Sequence, residues 1–353
     1  MDSLEAFEYG RSISGQLPHL HLIPPIVLPL KINESNILHQ RDLFKSTVLF
    51  LDDDIVVKMY NQFRVVDVEL PSSRLYLELC RGGFIAQEVE QDLFKRIKHD
   101  GCSHLVHKID VEEPTCAFFE RLQPVSSLWD DASLPRRRRW AVELTSAFAA
   151  IEELGRIPED IHVRDLGIDR TGRLRLVGFG ASPSPPSSEE IERFEADGFR
   201  FHPADIFGKH MQTAHQRLAS CLHYLLSGVD PDKEASGFTN LQDLTRFREK
   251  VRSGGYAVQP DASPITDILQ AAWMLKTGTE TFASIAEKVS SALNQLEIES
   301  NEALPPHISD QHYLNLGNRC LEWLSTQEKN PEWMERSKYK SACEDAGFFW
   351  GDD

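Results

Sequence analysis

From Lys45 to Tyr60 the chain alternates as two β-rich runs, Lys-Ser-Thr-Val-Leu-Phe-Leu and Ile-Val-Val-Lys-Met-Tyr, separated by Asp52-Asp53-Asp54. Two such runs about a short polar turn predict a β-hairpin whose second strand carries Lys58 near its end. Between Ala86 and His99 the pattern changes: Val89, Leu93, Phe94 and Ile97 recur at helical spacing and predict one amphipathic helix. β-rich text resumes at Leu105 to Val111 and Cys116 to Leu122, so residues 30–122 predict an antiparallel sheet carrying one helix.

Helical spacing then dominates. Trp140, Leu144, Phe148 and Ile151 form a stripe within Leu134 to Leu154, and Gly155 supplies the stop. Leu166 to Phe179 reads as strand, turn and strand with Thr171-Gly172 at the bend, and 181–190 is a Ser/Pro-rich stretch expected to be a mobile loop. Ala214 to Leu226, closed by Gly228, and Pro264 to Leu293 are helical in pattern. Strands early and helices late predict an α+β protein of two unequal parts. Beyond Asn294 a polar linker leads into short helical runs that carry Trp323, Trp333, Phe348, Phe349 and Trp350. Those rings either form a partner surface or, the expectation preferred here, pack back on the larger helical part.

Charge narrows the partners. The chain has 38 basic and 55 acidic residues, a formal net charge of −17, which repels nucleic acid and anionic membranes over most of the surface. The one basic run, Arg136 to Arg139, opens the predicted helix at 134–154, where positive charge opposes the helix dipole; it reads as a solvated first turn or as a docking site. The six cysteines include no C-x-x-C pair, so neither a disulfide framework nor a zinc site is expected, and His99, His104 and His107 lack accompanying ligands. The apolar stretch Leu17 to Leu30 is broken by four prolines and reads as neither a signal peptide nor a spanning helix. A cytoplasmic or nuclear location is the expectation.

The order of elements, with specific residues at specific separations, resembles a eukaryotic protein kinase domain of a fungal type. Ile55-Val56-Val57-Lys58 is similar to the kinase third-strand motif, whose lysine binds ATP phosphates, and Glu90 stands on the following helix where the family places that lysine's carboxylate partner. The segment Pro158-Glu159-Asp160-Ile161-His162-Val163-Arg164-Asp165, followed by Val177-Gly178-Phe179-Gly180, is similar to the catalytic loop and the metal-binding motif. Kinases place a metal ligand five residues after the catalytic Asp and a second about eighteen residues after it, which fits Asp160, Asp165 and Gly178. A competing register makes Asp165 of His162-Val163-Arg164-Asp165 the catalytic residue, but it leaves only 13 residues to Gly178, short for the hairpin between.

The resemblance implies a protein-kinase-like domain over 35–293, with a small antiparallel β-sheet lobe at 35–122 bearing one helix and a larger, mostly helical lobe at 123–293. An N-terminal segment, 1–34, and a C-terminal helical extension, 294–353, flank it. It also implies ATP as ligand and Mg²⁺ as its metal, and here the sequence departs from the family. No glycine lies between Gly15 and Gly82, so a glycine-rich phosphate loop is missing. Gly178 stands where the metal-binding Asp should be, Asp165 replaces an Asn, Pro158 and Glu159 replace His and Arg, and Ala214 replaces a buried Asp of the central helix. Lys58, Glu90 and Asp160 remain, and each also has a plain structural role open to it, as an ion pair tying sheet to helix and as a turn cap. The expectation is therefore a pseudokinase acting as a scaffold or allosteric partner of another protein. The alternatives are a weakly active ATP-dependent Ser/Thr protein kinase, and a small-molecule phosphotransferase of related fold.

Overall fold

The computed structural model describes residues 26–32, 39–42, 46–64, 71–97, 103–179, 182–183, 203–278, 280–294, 308–348 and 350. Most of the N-terminal segment lies outside them, as do most of the Ser/Pro-rich loop, the polar linker after Asn294, His99, Cys102 and Phe349. The protein is α+β. Its chain divides into two compact units, one made of Met1–Gln91, His107–Arg121 and Ile308–Asp353, the other of Asp92–Val106 and Leu122–His307.

The first unit opens with short strands β1 (Ile26–Val27) and β2 (Leu30–Lys31), then β3 (His39–Asp42), β4 (Ser46–Phe50), β5 (Ile55–Tyr60) and β6 (Gln62–Phe63). Helix α1 (Pro71–Arg96) follows and crosses the boundary of the units, and β7 (Lys108–Ile109) and β8 (Cys116–Glu120) complete an antiparallel sheet of order β3-β4-β5-β8-β7. The expected hairpin is present: Asp52 Oδ1 accepts from the amides of Asp54 at 2.8 Å and Ile55 at 2.9 Å, an Asx-type turn that explains why a run of acids bends the chain here.

The helix expected from Ala86 begins fifteen residues earlier, at Pro71. Gly82 and Gly83 hide this in the sequence, each costing about 1 kcal/mol relative to alanine. Packing overrides them, because Tyr76, Leu77, Cys80, Phe84 and Glu90 are all buried along one helical stripe.

The second unit contains β9 (Gln123–Pro124), α2 (Val125–Leu128), α3 (Leu134–Glu153), a 3₁₀ turn at Val163–Asp165, β10 (Leu166–Ile168), β11 (Leu174–Leu176), α4 (Pro203–Ser227), α5 (Pro231–Ser236), α6 (Leu241–Arg252), a 3₁₀ stretch at Pro260–Ile265, α7 (Thr266–Trp273) and α8 (Phe282–Asn294). Ser133 caps α3 by accepting from the Arg136 amide, and Gly155, at φ +72°, ends the turn after it. Helices α4 and α8 pack against α3, which buries Trp140, Leu144, Phe148 and Ile151. The helical stretch expected over Pro264 to Leu293 is two helices, because Leu275 and Gly278, both at φ +58°, turn the chain between α7 and α8. The polar helices α5 and α6 were not legible; α6 buries only Phe247.

The C-terminal residues belong to the first unit. Helix α9 (Asp310–Ser325) lays Leu316 and Cys320 on Leu49, Ile55, Val57, Met59 and Phe118 of the sheet, β12 (Glu328–Lys329) pairs with β2, and α10 (Arg336–Asp345) packs on α1. Trp350 is fully buried beside Phe84 and Tyr339, with ring centroids 6.2 Å and 5.7 Å away. The expectation that these rings pack on the larger helical part is thus corrected: Trp323, Trp333, Phe348 and Trp350 complete the core of the strand-bearing unit. The reason is an unmatched apolar supply, since one face of the sheet and the outer stripe of α1 both need cover.

Candidate functional site

Two clusters gather the residues singled out in the sequence, one in each unit. In the first, the odd-numbered residues of β5 face α9 while Lys58 and Tyr60 project together towards α1, as the two-residue period of a strand requires. Lys58 Nζ donates to both carboxylate oxygens of Glu90 at 3.0 Å, and Tyr60 Oη donates to Glu90 Oε2 at 2.6 Å. Burial, and next the Glu90 charge, push the Tyr60 phenol well above its ordinary range, so it stays a donor. The expected pairing of Lys58 with Glu90 is present. Tyr60 was overlooked, although its two-residue spacing from Lys58 on one strand was a signal.

The second cluster occupies the loop from Ile157 to β10. Asp165 Oδ2 accepts from the His162 amide at 3.0 Å, the Asp165 amide returns to His162 O at 2.9 Å, and Val177 N donates to Asp165 O at 2.9 Å. These bonds close the loop on itself and bring Asp165 against Gly178. Desolvation pushes the Asp165 carboxyl up to about 6, against the opposing pull of Arg164 and of the His162 amide. Gly178 has φ +81°, and a Cβ there would stand 3.1 Å from Asp165 Oδ1. Any side chain at 178 would meet both backbone strain and a carboxylate oxygen.

Asp160, by contrast, is well exposed, its side chain 63% accessible. His162 orients it: Nε2 lies 3.2 Å from Asp160 Oδ1, while Nδ1 lies 3.7 Å from Asp232 Oδ2. Asp232, on the short α5, is held in turn by Arg217 of α4 at 2.7 Å. Ala214 is fully buried where the kinase resemblance expects an anchoring Asp, and Arg217, Asp232 and His162 tie the loop down instead. Sequence reading missed Asp232 and Arg217, because nothing local marks a residue on a six-residue helix as a loop anchor. Glu159, beside Asp160, pairs with His210 of α4 at 2.6 Å.

The donor set does not fit a divalent cation held as in kinases. Mg²⁺ takes oxygen ligands in near-octahedral geometry; Asp165 offers one carboxylate already bonded to a backbone amide, and position 178 offers none. Among the described residues no group of three or more His, Cys, Asp or Glu is placed to hold a metal. No described helix is long and apolar enough to cross a membrane. No protein-family model matches the chain, and no curated protein matches it.

Proposed function

We propose that this chain is a protein-kinase-like protein with two lobes whose phosphotransfer machinery is impaired, and that it acts by binding a protein partner. The observation that carries the reading is Gly178 against Asp165: the metal-ligand position has lost its side chain, and the space a carboxylate would use lies against another carboxylate. Lys58 with Glu90 and Tyr60 fits a nucleotide-phosphate lysine kept in place, and it equally fits an ion pair that ties β5 to α1. In this reading the kept residues serve the fold and the partner, and the C-terminal segment is part of the scaffold.

A thermal-shift titration with ATP, alone and with Mg²⁺ or Mn²⁺, on the wild type and on Lys58→Ala, tests it. Ligand at about one hundred times its Kd stabilises by roughly 2.7 kcal/mol, a rise of several degrees in a chain of this size. The proposal expects no metal-dependent shift. A shift that requires Mg²⁺ and disappears in Lys58→Ala would overturn it in favour of the second reading, a weak Ser/Thr protein kinase. One feature favours that alternative: Asp160 is accessible and oriented by His162, as a base acting on a hydroxyl must be. Turnover in the wild type that is lost in Asp160→Asn would establish it.

A further inference from the structure

The cysteines carry no spacing that pairs them, yet the fold gathers four of them two by two, each pair joining an early element to the C-terminal segment. Cys116 of β8 and Cys320 of α9 share one apolar cluster, and Cys80 of α1 and Cys343 of α10 share the other. All four are buried, free thiols. Burial and neighbouring charge are what act on Cys116, and no side-chain donor among the described residues reaches it or Cys320. The second pair is different.

Two donors face the Cys80 sulfur: Phe63 N donates to Sγ at 3.0 Å, and Tyr339 Oη lies 3.2 Å from it. Tyr339 stands one helical turn before Cys343 on the buried face of α10, and its hydroxyl hydrogen-bonds the Cys343 thiol as well. Both sulfurs therefore meet at one phenol oxygen. Burial, and next the neighbouring thiols, keep that phenol protonated far above its ordinary range, and it donates its one proton to Phe63 O at 2.7 Å. When Cys80 ionises, the same O–H can swing to the sulfur. Hydrogen bonds to an anionic sulfur favour the anion, so Cys80 is the thiol set up to ionise and Cys343 the one placed to follow. Desolvation holds the pair back, pushing the Cys80 thiol up to about 11 and the Cys343 thiol up to about 12.

We infer that Cys80 and Cys343 form an oxidisable dithiol, with Tyr339 as the positioning residue between them, and that their disulfide locks the C-terminal segment onto α1. The oxidant is a hydroperoxide. With hydrogen peroxide, the Cys80 thiolate attacks one oxygen, the O–O bond breaks, and the leaving hydroxide takes up the proton that the thiol released, giving water and a sulfenic acid. The Cys343 sulfur then displaces the sulfenic hydroxyl, which leaves with the Cys343 proton as a second water, and the S–S bond forms. Two thiols lose two electrons, and one peroxide gains them. Cys80 is 1% exposed and Cys343 fully buried, so a seated α10 shields both, and the reaction proceeds through openings in which α10 lifts from α1. The ion pairs that fasten this part of the chain, Arg336 with Glu88 and Arg64 with Glu332, lie at the surface and hold it weakly. Once formed, the bond closes a loop from 80 to 343, and long loops are where a cross-link restricts the unfolded chain most.

The test exposes the full chain, reduced and then freed of reductant, to hydrogen peroxide at mildly alkaline pH, with samples quenched by N-ethylmaleimide and mapped by mass spectrometry after proteolysis. The expected product is a peptide joining Cys80 to Cys343 within one chain, formed before any Cys116–Cys320 link. The melting temperature should rise by several degrees with it and return on adding dithiothreitol. Cys343→Ser should abolish the link and leave Cys80 as a sulfenic acid that dimedone traps. Tyr339→Phe keeps the ring and removes the donor, so its pH–rate profile for linkage should move to higher pH, whereas a change in opening alone would scale the rate equally at every pH. Circular-dichroism melts confirm that each variant is folded. Three results overturn the inference: no Cys80–Cys343 link in the folded chain where the urea-unfolded chain oxidises, a Cys116–Cys320 link appearing first, or a profile unmoved in Tyr339→Phe. None of these readouts involves nucleotide, so the inference and the kinase-like reading stand or fall separately.

Discussion

At the scale of single residues, Asp165 makes the sharpest prediction. Its carboxyl is held at about 6 by burial, well above the ordinary Asp range, so the folded state takes up a proton more readily than the unfolded one. A raised carboxyl pKa means that stability falls as pH rises from about 4 through about 6 and is lowest above it. Asp165→Asn keeps an acceptor for the His162 amide and removes the charge. It should therefore raise the melting temperature at pH 7.5, by an amount worth roughly 1–3 kcal/mol, and the gain should shrink towards zero at pH 4. Melts of both proteins across that range check it; a gain that does not change with pH would mean that desolvation is not what holds Asp165. Much of this cluster was legible in sequence, because its residues lie within one short loop and separations along the chain translate into proximity. Tyr60 was legible in principle. Arg217 and Asp232 were not, since their contact with His162 depends on how α4 and α5 pack.

At the scale of elements, strands and helices with a clear period were read at nearly their true bounds, as the β4–β5 hairpin and α3 show. The misreadings have one physical source each. Glycines inside α1 conceal a helix that packing sustains, a left-handed Leu275 interrupts an otherwise unbroken helical pattern, and α6 presents too few apolar positions to stand out. The tail elements were seen as helices, but periodicity carries no information about which surface they cover. Their role predicts a specific cost. Trp350 contributes a fully buried ring against Phe84 and Tyr339, so Trp350→Ala should destabilise by about 3–5 kcal/mol, whereas Leu314→Ala, on the exposed side of α9, should cost well under 1 kcal/mol. Urea denaturation followed by circular dichroism distinguishes them. Similar small losses for both would show that α10 and the residues after it are loosely held.

For the whole molecule, the notable property is that the first unit is discontinuous in sequence. Gln62 and the backbone of Met334 exchange hydrogen bonds, Tyr339 Oη donates to Phe63 O at 2.7 Å, and Arg64 pairs with Glu332 at 2.6 Å, all across some 270 residues of chain. A chain ending at residue 307 should accordingly expose the sheet face that Leu316 and Cys320 cover and the stripe of α1 that Tyr339 and Trp350 cover, binding a hydrophobic dye and aggregating on warming. A truncated chain that melts like the full one would contradict this. The same discontinuity sets an order of events at the ribosome. At roughly 5–20 residues per second, the stretch from 122 to 307 takes on the order of 10–40 s to make, and throughout that time the earliest strands have been synthesised but cannot be closed. Residues 308–350 are the ones that finish the first unit, so a nascent chain keeps an unfinished apolar surface until they have been made, and a premature stop within α9 or α10 leaves that surface open to chaperones and proteases.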